Sequence, residues 1–223
     1  MAARVVSEPT PLAARLAGIH ERLGIDPDAA PPPAVDVPRE QADAEARRRV
    51  AWERWDRAIP RRFRGARLDH LPAPLAEQLA AWAKLDERPN LVLTGPVGTG
   101  KTYAACAAVR PLVGAGATLA FWPVVRLLDQ LRPGHDPDPY DEAAGADLLV
   151  LDDLGAERAT EWTAERLYAL VNDRWLDERP TLATTNLPPP ALATAIGERL
   201  ASRLLGGATI ARLAGPDQRM SNP

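Results

Sequence analysis

Lysine and cysteine are scarce in this chain of 223 residues. Its 27 basic residues include only two lysines, Lys84 and Lys101, and the rest of the positive charge comes from arginine. The single cysteine, Cys106, excludes an internal disulfide and a metal site built from cysteines alone. Because Cys106 falls in an apolar helical pattern, we expect it to be a small core residue.

Long apolar runs are also missing. The longest uncharged apolar stretch, residues 111–125, is interrupted by glycine and proline and is too short to span a bilayer. The N-terminus has no continuous apolar core of the signal-peptide kind, so we expect a cytoplasmic protein without a membrane partner. The net charge is −3, which excludes an overall basic field and means that any nucleic-acid contact must come from a local patch.

The most informative motif is a full match to G-x-x-x-x-G-K-[ST] at residues 95–102. In such a loop the backbone N–H groups cradle phosphates, the lysine reaches the β and γ oxygens, and the hydroxyl faces Mg²⁺. A glycine-rich turn can match by accident, but an apolar strand at 90–94 and a helical pattern at 102–109 favour a phosphate loop. We therefore predict nucleotide binding by Gly95, Pro96, Val97, Gly98, Thr99, Gly100, Lys101 and Thr102.

Strand and helix patterns alternate from residue 90 onward, which predicts a parallel sheet flanked by helices, an α/β fold of the P-loop NTPase type. The strands are expected at 91–94, 118–122, 147–152, 181–186 and 208–212, and the helices at 101–113, 124–132, 161–176 and 190–196. Two further helices are expected before this region, one at 40–58 and one around Leu75, Leu79 and Trp82.

The N-terminal region differs in composition from the rest. Leu12, Leu16, Ile19 and Leu23 predict a short amphipathic helix, and the proline-rich residues 25–38 predict an extended linker. We therefore expect an N-terminal segment, 1–38, that docks on a partner or folds back on the core. The nucleotide-binding domain then covers 39–223, with an arginine-rich lead-in at 39–67 and a core at about 68–214.

Two carboxylates, Asp152 and Asp153, end an apolar strand. Ligands of open α/β sheets bind beyond the carboxyl ends of the strands, so this pair is expected beside the phosphate loop. Asp152, together with Thr102, is expected to hold Mg²⁺, and Asp153 to orient or deprotonate an attacking water. Without the loop, two acidic residues that simply end a strand would be the better interpretation.

Asn186 and two arginines complete the candidate site. Asn186 ends a further strand, where its amide can hold a water or a phosphate oxygen, although a helix cap is the simpler role. Arg199 and Arg203 are four residues apart and therefore share one face of a helix. Local ion pairing or solvent exposure is the common fate of such arginines.

In order along the chain, GPVGTGKT, LLVLDDLGAE, ATTN and GERLASRL resemble the AAA+ ATPases of the DnaC/IstB type over residues 60–215. The resemblance implies an ATPase with ATP and Mg²⁺ as cofactors. It assigns the acidic pair to Asp152 and Asp153, the first sensor to Asn186, and an arginine finger, given to a neighbouring subunit, to Arg203 or, as the reserve, Arg199. Asp153 stands where many AAA+ proteins have glutamate, which implies slow, switch-like hydrolysis. We expect no C-terminal helical lid and give Arg219 no role.

Nine arginines lie between Arg47 and Arg67 against Glu53 and Asp56, which gives this segment a charge of +7. Together with Trp52, Trp55 and Phe63, they fit single-stranded DNA binding, with phosphates on arginine and bases stacked on the rings. An equally good interpretation is a solvated helix face whose rings pack on the core, and an acidic surface of a partner protein would also explain the charge.

Among functions, the resemblance favours a loader that places a replicative helicase on single-stranded DNA. A transposition ATPase of the IstB type, acting with a transposase on duplex DNA, is the nearest alternative. A P-loop kinase for a small metabolite and a nucleotide-dependent adaptor without catalysis are further alternatives. The paired aspartates and Asn186 suit attack by water better than transfer to an acceptor.

Overall fold

Five parallel strands form the sheet at the centre of the fold, in the order β2-β3-β4-β1-β5. Each strand is four or five residues long, and β1, β3 and β4 are buried along their whole length, as expected for a sheet covered on both faces. The predicted parallel sheet is confirmed. The strands are β1 Leu91–Thr94, β2 Leu119–Pro123, β3 Leu148–Asp152, β4 Thr181–Thr185 and β5 Thr209–Arg212.

The computed structural model describes residues 39–132, 138–157 and 160–218. The predicted N-terminal helix at 12–23 and the linker at 25–38 lie outside the described residues, as does Arg219. Within the described part of the chain, no helix combines the length and apolarity needed to cross a membrane.

Helices cover both faces of the sheet. They are α1 Arg39–Ala58, α2 Ala73–Ala83, α3 Lys101–Gly114, α4 Val124–Gln130, α5 Asp138–Gly145, α6 Glu161–Leu176, α7 Pro189–Ile196 and α8 Glu198–Leu205, with 3₁₀ turns at Arg61–Phe63 and Leu68–His70. The element that the sequence analysis missed is α5, which begins Asp-Pro-Tyr-Asp-Glu and is too polar and short to give a clear helical pattern.

Two apolar cores form because successive side chains of a strand point to opposite faces. Leu91 and Leu93 of β1 pack in the core formed with α1, α2 and α3, and Val92 packs in the core formed with α4 to α8. The same alternation places Val150 of β3 in the first core and Leu149 in the second. Cys106 of α3 is fully buried in the first core, as predicted.

The aromatic residues of α1 pack inward. Trp55 is 1% exposed in the first core, and Trp52 meets it edge to face with ring centroids 5.9 Å apart. The guanidinium of Arg110 lies over both rings, at 5.3 and 5.8 Å. Phe63 is partly buried against the same core. The expectation of base stacking on Trp55 is therefore wrong, because its ring has no face open to a ligand, and the core-packing alternative is confirmed.

A buried arginine joins α6 to the start of β3 and β4. Arg174 is 0% exposed, and its guanidinium donates to the carbonyl oxygens of Ala143, Ala146 and Pro180 at 2.7–2.9 Å. Burial lowers the pKa of Arg174 to about 10, since removal from water disfavours the charged form. The carbonyl oxygens stabilise the guanidinium charge in place of a carboxylate. In turn, the bonds from Arg174 hold the carboxyl end of α5.

Candidate functional site

The phosphate loop joins β1 to α3, and its glycines are required by shape. Gly100, the residue before α3, has a φ of 89°, a left-handed conformation that favours glycine. At Gly95 a Cβ atom would collide with the backbone carbonyl of Leu213. The segment after β5 also covers the loop, because the N–H of Gln218 donates to the carbonyl of Gly98 at 3.0 Å.

Lys101 begins α3 and is only 6% exposed. Its ammonium donates to the carbonyl oxygens of Gly95 and Pro96 at 2.9 and 2.8 Å and to Oδ1 of Asn186 at 2.6 Å. The structure therefore brings together the loop lysine and the end of β4, as the motif order predicted. Asn186 itself is exposed, and its amide faces the loop rather than capping α7, whose first turn begins with prolines.

The acidic pair leaves β3 next to the same loop. The Thr102 hydroxyl donates to Oδ1 of Asp152 at 2.9 Å, and the Thr184 hydroxyl donates to the same oxygen at 2.7 Å. Asp153 is exposed and has a φ of 59°, an uncommon conformation outside glycine. The two carboxylates thus have different surroundings, one buried and hydrogen-bonded and one open to solvent.

Asp152 is 8% exposed, and burial raises the pKa of its carboxyl group above the ordinary value. The hydrogen bonds from Thr184 and Thr102 oppose that shift, as does the charge of Lys101. A bound cation would act in the same direction, because it favours the ionised form. A buried carboxylate beside one hydroxyl is the small oxygen donor set that Mg²⁺ uses with its own waters and substrate phosphates, so Thr102 and Asp152 fit this ion.

An open cavity of about 520 Å³, which no local sequence pattern indicates, adjoins the loop. Its walls come from three distant parts of the chain: His70 to Gln78, Thr99 to Tyr103, and Arg212 to Gln218. The Tyr103 hydroxyl lies 2.7 Å from Nδ1 of His70, and the two rings are stacked with centroids 6.4 Å apart. The cavity is of the size that encloses a small ligand, next to the loop that would hold its phosphates.

The two candidate finger arginines lie on α8, away from this loop. The backbone carbonyl of Arg203 accepts from Nδ2 of Asn90, which precedes β1, whereas the phosphate loop follows β1. The Arg203 guanidinium lies 3.9 Å from the ring centroid of Trp175 and donates to Asn172 at 3.1 Å. The Arg199 guanidinium lies 4.3 Å from the Tyr168 ring. Neither guanidinium therefore contacts the phosphate loop of its own chain.

The fold and the loop define a P-loop nucleotide-binding domain of the AAA+ type, and comparison with known proteins gives the family. Residues 62–209 match the model of the IstB-like ATP binding protein family. The chain belongs to this family, within the DnaC/IstB type of AAA+ proteins.

Relatives agree with that assignment. The chain is 32% identical over 143 residues to an insertion-sequence ATP-binding protein of Mycobacterium tuberculosis, covering 58% of this chain and 57% of that protein. It is 35% identical over 131 residues to the ATP-binding protein of insertion sequence IS1162 from Pseudomonas fluorescens, covering 57% and 55%. The chain thus spans little more than half the length of these relatives.

Among solved structures, the DnaC helicase loader superposes with a TM-score of 0.64 at 22% identity, over 70% of this chain and 100% of that one. At this identity the likeness concerns the fold.

Proposed function

We propose that this chain hydrolyses ATP and acts as a nucleotide-controlled switch on DNA, as the ATPase partner of a transposase. One observation carries the hydrolysis: the exposed Asp153 stands beside the buried Asp152, which is hydrogen-bonded to Thr102 of the phosphate loop. This places a candidate water-activating carboxylate next to a candidate Mg²⁺ ligand, at the loop that would hold the phosphates.

Each side chain then has a role in the reaction. Lys101 exchanges its bonds to the Gly95 and Pro96 carbonyls for the β and γ phosphates, and Asn186 orients the attacking water or a γ oxygen. Asp153 orients that water and accepts its proton. Thr102 and Asp152 would hold Mg²⁺, which would supply positive charge against the phosphates.

The cavity beside the loop is proposed to take the nucleoside. Its walls offer the Tyr103 ring, apolar contacts from Leu71, Leu75 and Leu213, and the polar side chain of Gln78. Such a mixture of apolar area and a few polar groups is typical of nucleobase and cofactor pockets. Its position next to Thr99 and Gly100 lets one ligand fill both the cavity and the loop.

A transposase is our preferred partner because the curated relatives above are insertion-sequence ATP-binding proteins. Loading of a replicative helicase onto single-stranded DNA is the second candidate. It is favoured by the predicted helix at 12–23 and the proline-rich linker at 25–38, which have the composition of a tethered docking segment.

Phosphate release by the purified chain with Mg²⁺·ATP tests these functions. With no acceptor added, steady release supports hydrolysis and contradicts a kinase. The same assay is then run with duplex or single-stranded oligonucleotides of equal length, while light scattering follows assembly. Phosphate release and assembly that increase only with the duplex support the transposition role. An increase with the single strand alone supports loading, provided that the complex also retains a replicative helicase.

The arginine-rich segment is proposed to contact the DNA through its phosphates. Four arginines of α1 are exposed: Arg47, Arg48, Arg49 and Arg54. Arg64, which follows the 3₁₀ turn after α1, is half-buried, and its Nε donates to the carbonyl of Ile59 at 3.1 Å. Arg54 and Arg57 also line a cleft of about 720 Å³ along the edge strand β2, together with Trp122 and Arg126. A phosphate backbone lying along this edge would meet arginines from two helices.

Fluorescence anisotropy with a labelled oligonucleotide across a salt series measures that contact. Because bound phosphates release counterions, replacing Arg47, Arg48 and Arg49 by alanine should weaken binding and reduce the log–log salt slope by roughly 0.7 per lost contact for a single strand. Parental affinity and slope in this variant would show that the segment serves a protein partner or the solvent.

A further inference from the structure

A single hydroxyl joins the two acidic positions. Oγ1 of Thr184, on β4, donates to Oδ1 of Asp152 at 2.7 Å and accepts the backbone N–H of Asp153 at 2.9 Å. A threonine hydroxyl has one donor and two acceptor positions, so it makes both bonds at once. Thr184 is 0% exposed, and its side chain is therefore not in contact with solvent.

These bonds begin where the pairing of the two strands stops. The paired residues of β3 and β4 end at Leu151 and Ala183. Beyond that point, the carbonyl of Thr184 accepts the N–H of Leu154 at 2.8 Å. Residues 152, 153 and 154 are thus each hydrogen-bonded to Thr184, either through its side chain or through its backbone.

This anchoring has a direct effect on Asp153. Its φ of 59° is left-handed, and a residue with a side chain keeps that conformation only where its surroundings enforce it. The bond from the Asp153 N–H to Thr184 and the burial of Leu154, which is 2% exposed, hold the backbone on both sides. This backbone sets the point and direction in which the Asp153 side chain leaves the chain.

We propose that Thr184 is a positioning residue that sets both carboxylates, the one assigned to Mg²⁺ and the one assigned to the attacking water. It touches neither the nucleotide nor the reacting atoms and acts through Asp152 and Asp153. The proposal rests on the function proposed above and names a residue that connects the carboxylate for Mg²⁺ with the carboxylate for the attacking water. Loss of the hydroxyl removes a donor to a buried carboxylate and leaves a backbone N–H without its acceptor.

The test compares Thr184→Val, which keeps the shape and removes the hydroxyl, with Thr184→Ser, which keeps the hydroxyl. Thr181→Val is the matched control, since Thr181 is 1% exposed in the same strand and its hydroxyl accepts from Nε of Arg174 at 3.2 Å, at the opposite end. Binding of a fluorescent ATP analogue is measured in EDTA and across a Mg²⁺ titration, and phosphate release is measured in parallel.

In EDTA, Thr184→Val should bind the analogue as the parent does, because Lys101 and its loop are untouched. Its apparent affinity for Mg²⁺ in the analogue-binding titration, or its rate of phosphate release, should fall by about 10–100-fold. This is the usual effect of removing a group that orients a metal ligand. Thr184→Ser should recover most of both, and Thr181→Val should behave as the parent.

A parental Mg²⁺ response and turnover in Thr184→Val would overturn the proposal, as would equal losses in Thr184→Ser or in Thr181→Val. The Mg²⁺ titration needs no hydrolysis. A parent that binds Mg²⁺ and nucleotide but releases no phosphate would therefore contradict the proposed ATPase while still deciding the role of Thr184.

Discussion

The ammonium nitrogen of Lys101 and the amide oxygen of Asn186 are 2.6 Å apart, although 85 positions separate these residues in the chain. This contact links the phosphate loop after β1 to the end of the neighbouring strand β4. It follows from the parallel sheet, because the carboxyl ends of adjacent strands emerge on the same side. Two residues expected to meet the terminal phosphate are thus already neighbours.

Replacing Lys101 by alanine should abolish ATP binding, because the phosphates lose the cation that the loop provides. Lys84→Ala is the matched control, since it removes the other lysine from an exposed position. Isothermal titration calorimetry with Mg²⁺·ATP measures both. Unchanged affinity in Lys101→Ala would remove the phosphate-loop interpretation.

Changing Asp153 to asparagine should leave Mg²⁺·ATP affinity near the parental value and eliminate turnover. The amide keeps the size of the side chain but accepts no proton from water. Glu157→Gln serves as the comparison, because Glu157 is the next nearby carboxylate in sequence and already accepts the N–H of Gly155 at 2.7 Å. If Asp153→Asn turns over normally and Glu157→Gln does not, Glu157 activates the water.

For Arg203→Ala we expect normal ATP binding and lost hydrolysis, because the finger would complete the site of a neighbouring subunit. To act there, Arg203 has to leave the Trp175 ring and Asn172. Mixing Arg203→Ala with Asp153→Asn protein should restore part of the activity, since one mixed interface then contains both intact residues.

Arg199→Ala is the parallel variant for that experiment, and retention of its activity would assign the finger to Arg203. If no mixture recovers turnover although light scattering shows mixed assemblies, the finger does not act in trans.

Truncation of Trp55 to alanine should destabilise the fold by about 3–5 kcal/mol, the usual cost of removing a large aromatic side chain from a packed core. Val50→Ala, on the same helix but at a position 41% exposed, should change stability by less than about 0.5 kcal/mol. Urea denaturation gives both values. An unchanged stability of Trp55→Ala would show that this ring adds little to the packed core.

Cys106 should resist thiol reagents in the folded protein at pH 8. Burial raises the pKa of its thiol to about 12, with a smaller contribution from the charge of Asp152, so the reactive thiolate is scarce as well as inaccessible. The folded state holds this proton more tightly than the unfolded state, so its contribution to stability is full below pH 9 and declines towards pH 12. Rapid labelling by a disulfide reagent without denaturant would show that α3 opens locally.

The sequence by itself determined the parallel α/β fold, the phosphate loop and the carboxylates and amide at the strand ends. These features are local, because a glycine pattern, an apolar run or a polar residue after a strand is visible within a few positions. The order of the motifs then placed Lys101, Asp152 and Asn186 at one edge of the sheet, and the structure brings them together there.

Only the tertiary structure decided which way Trp55 points, since arginines interleaved with tryptophans fit a DNA-binding face and a packed helix equally well. The cavity beside the loop and the Thr184 bonds to residues 152–154 also needed the fold. The residues that form them lie tens of positions apart in the chain. No local pattern shows that a buried hydroxyl on β4 meets the carboxylate that ends β3. Packing, which depends on all segments together, makes those contacts.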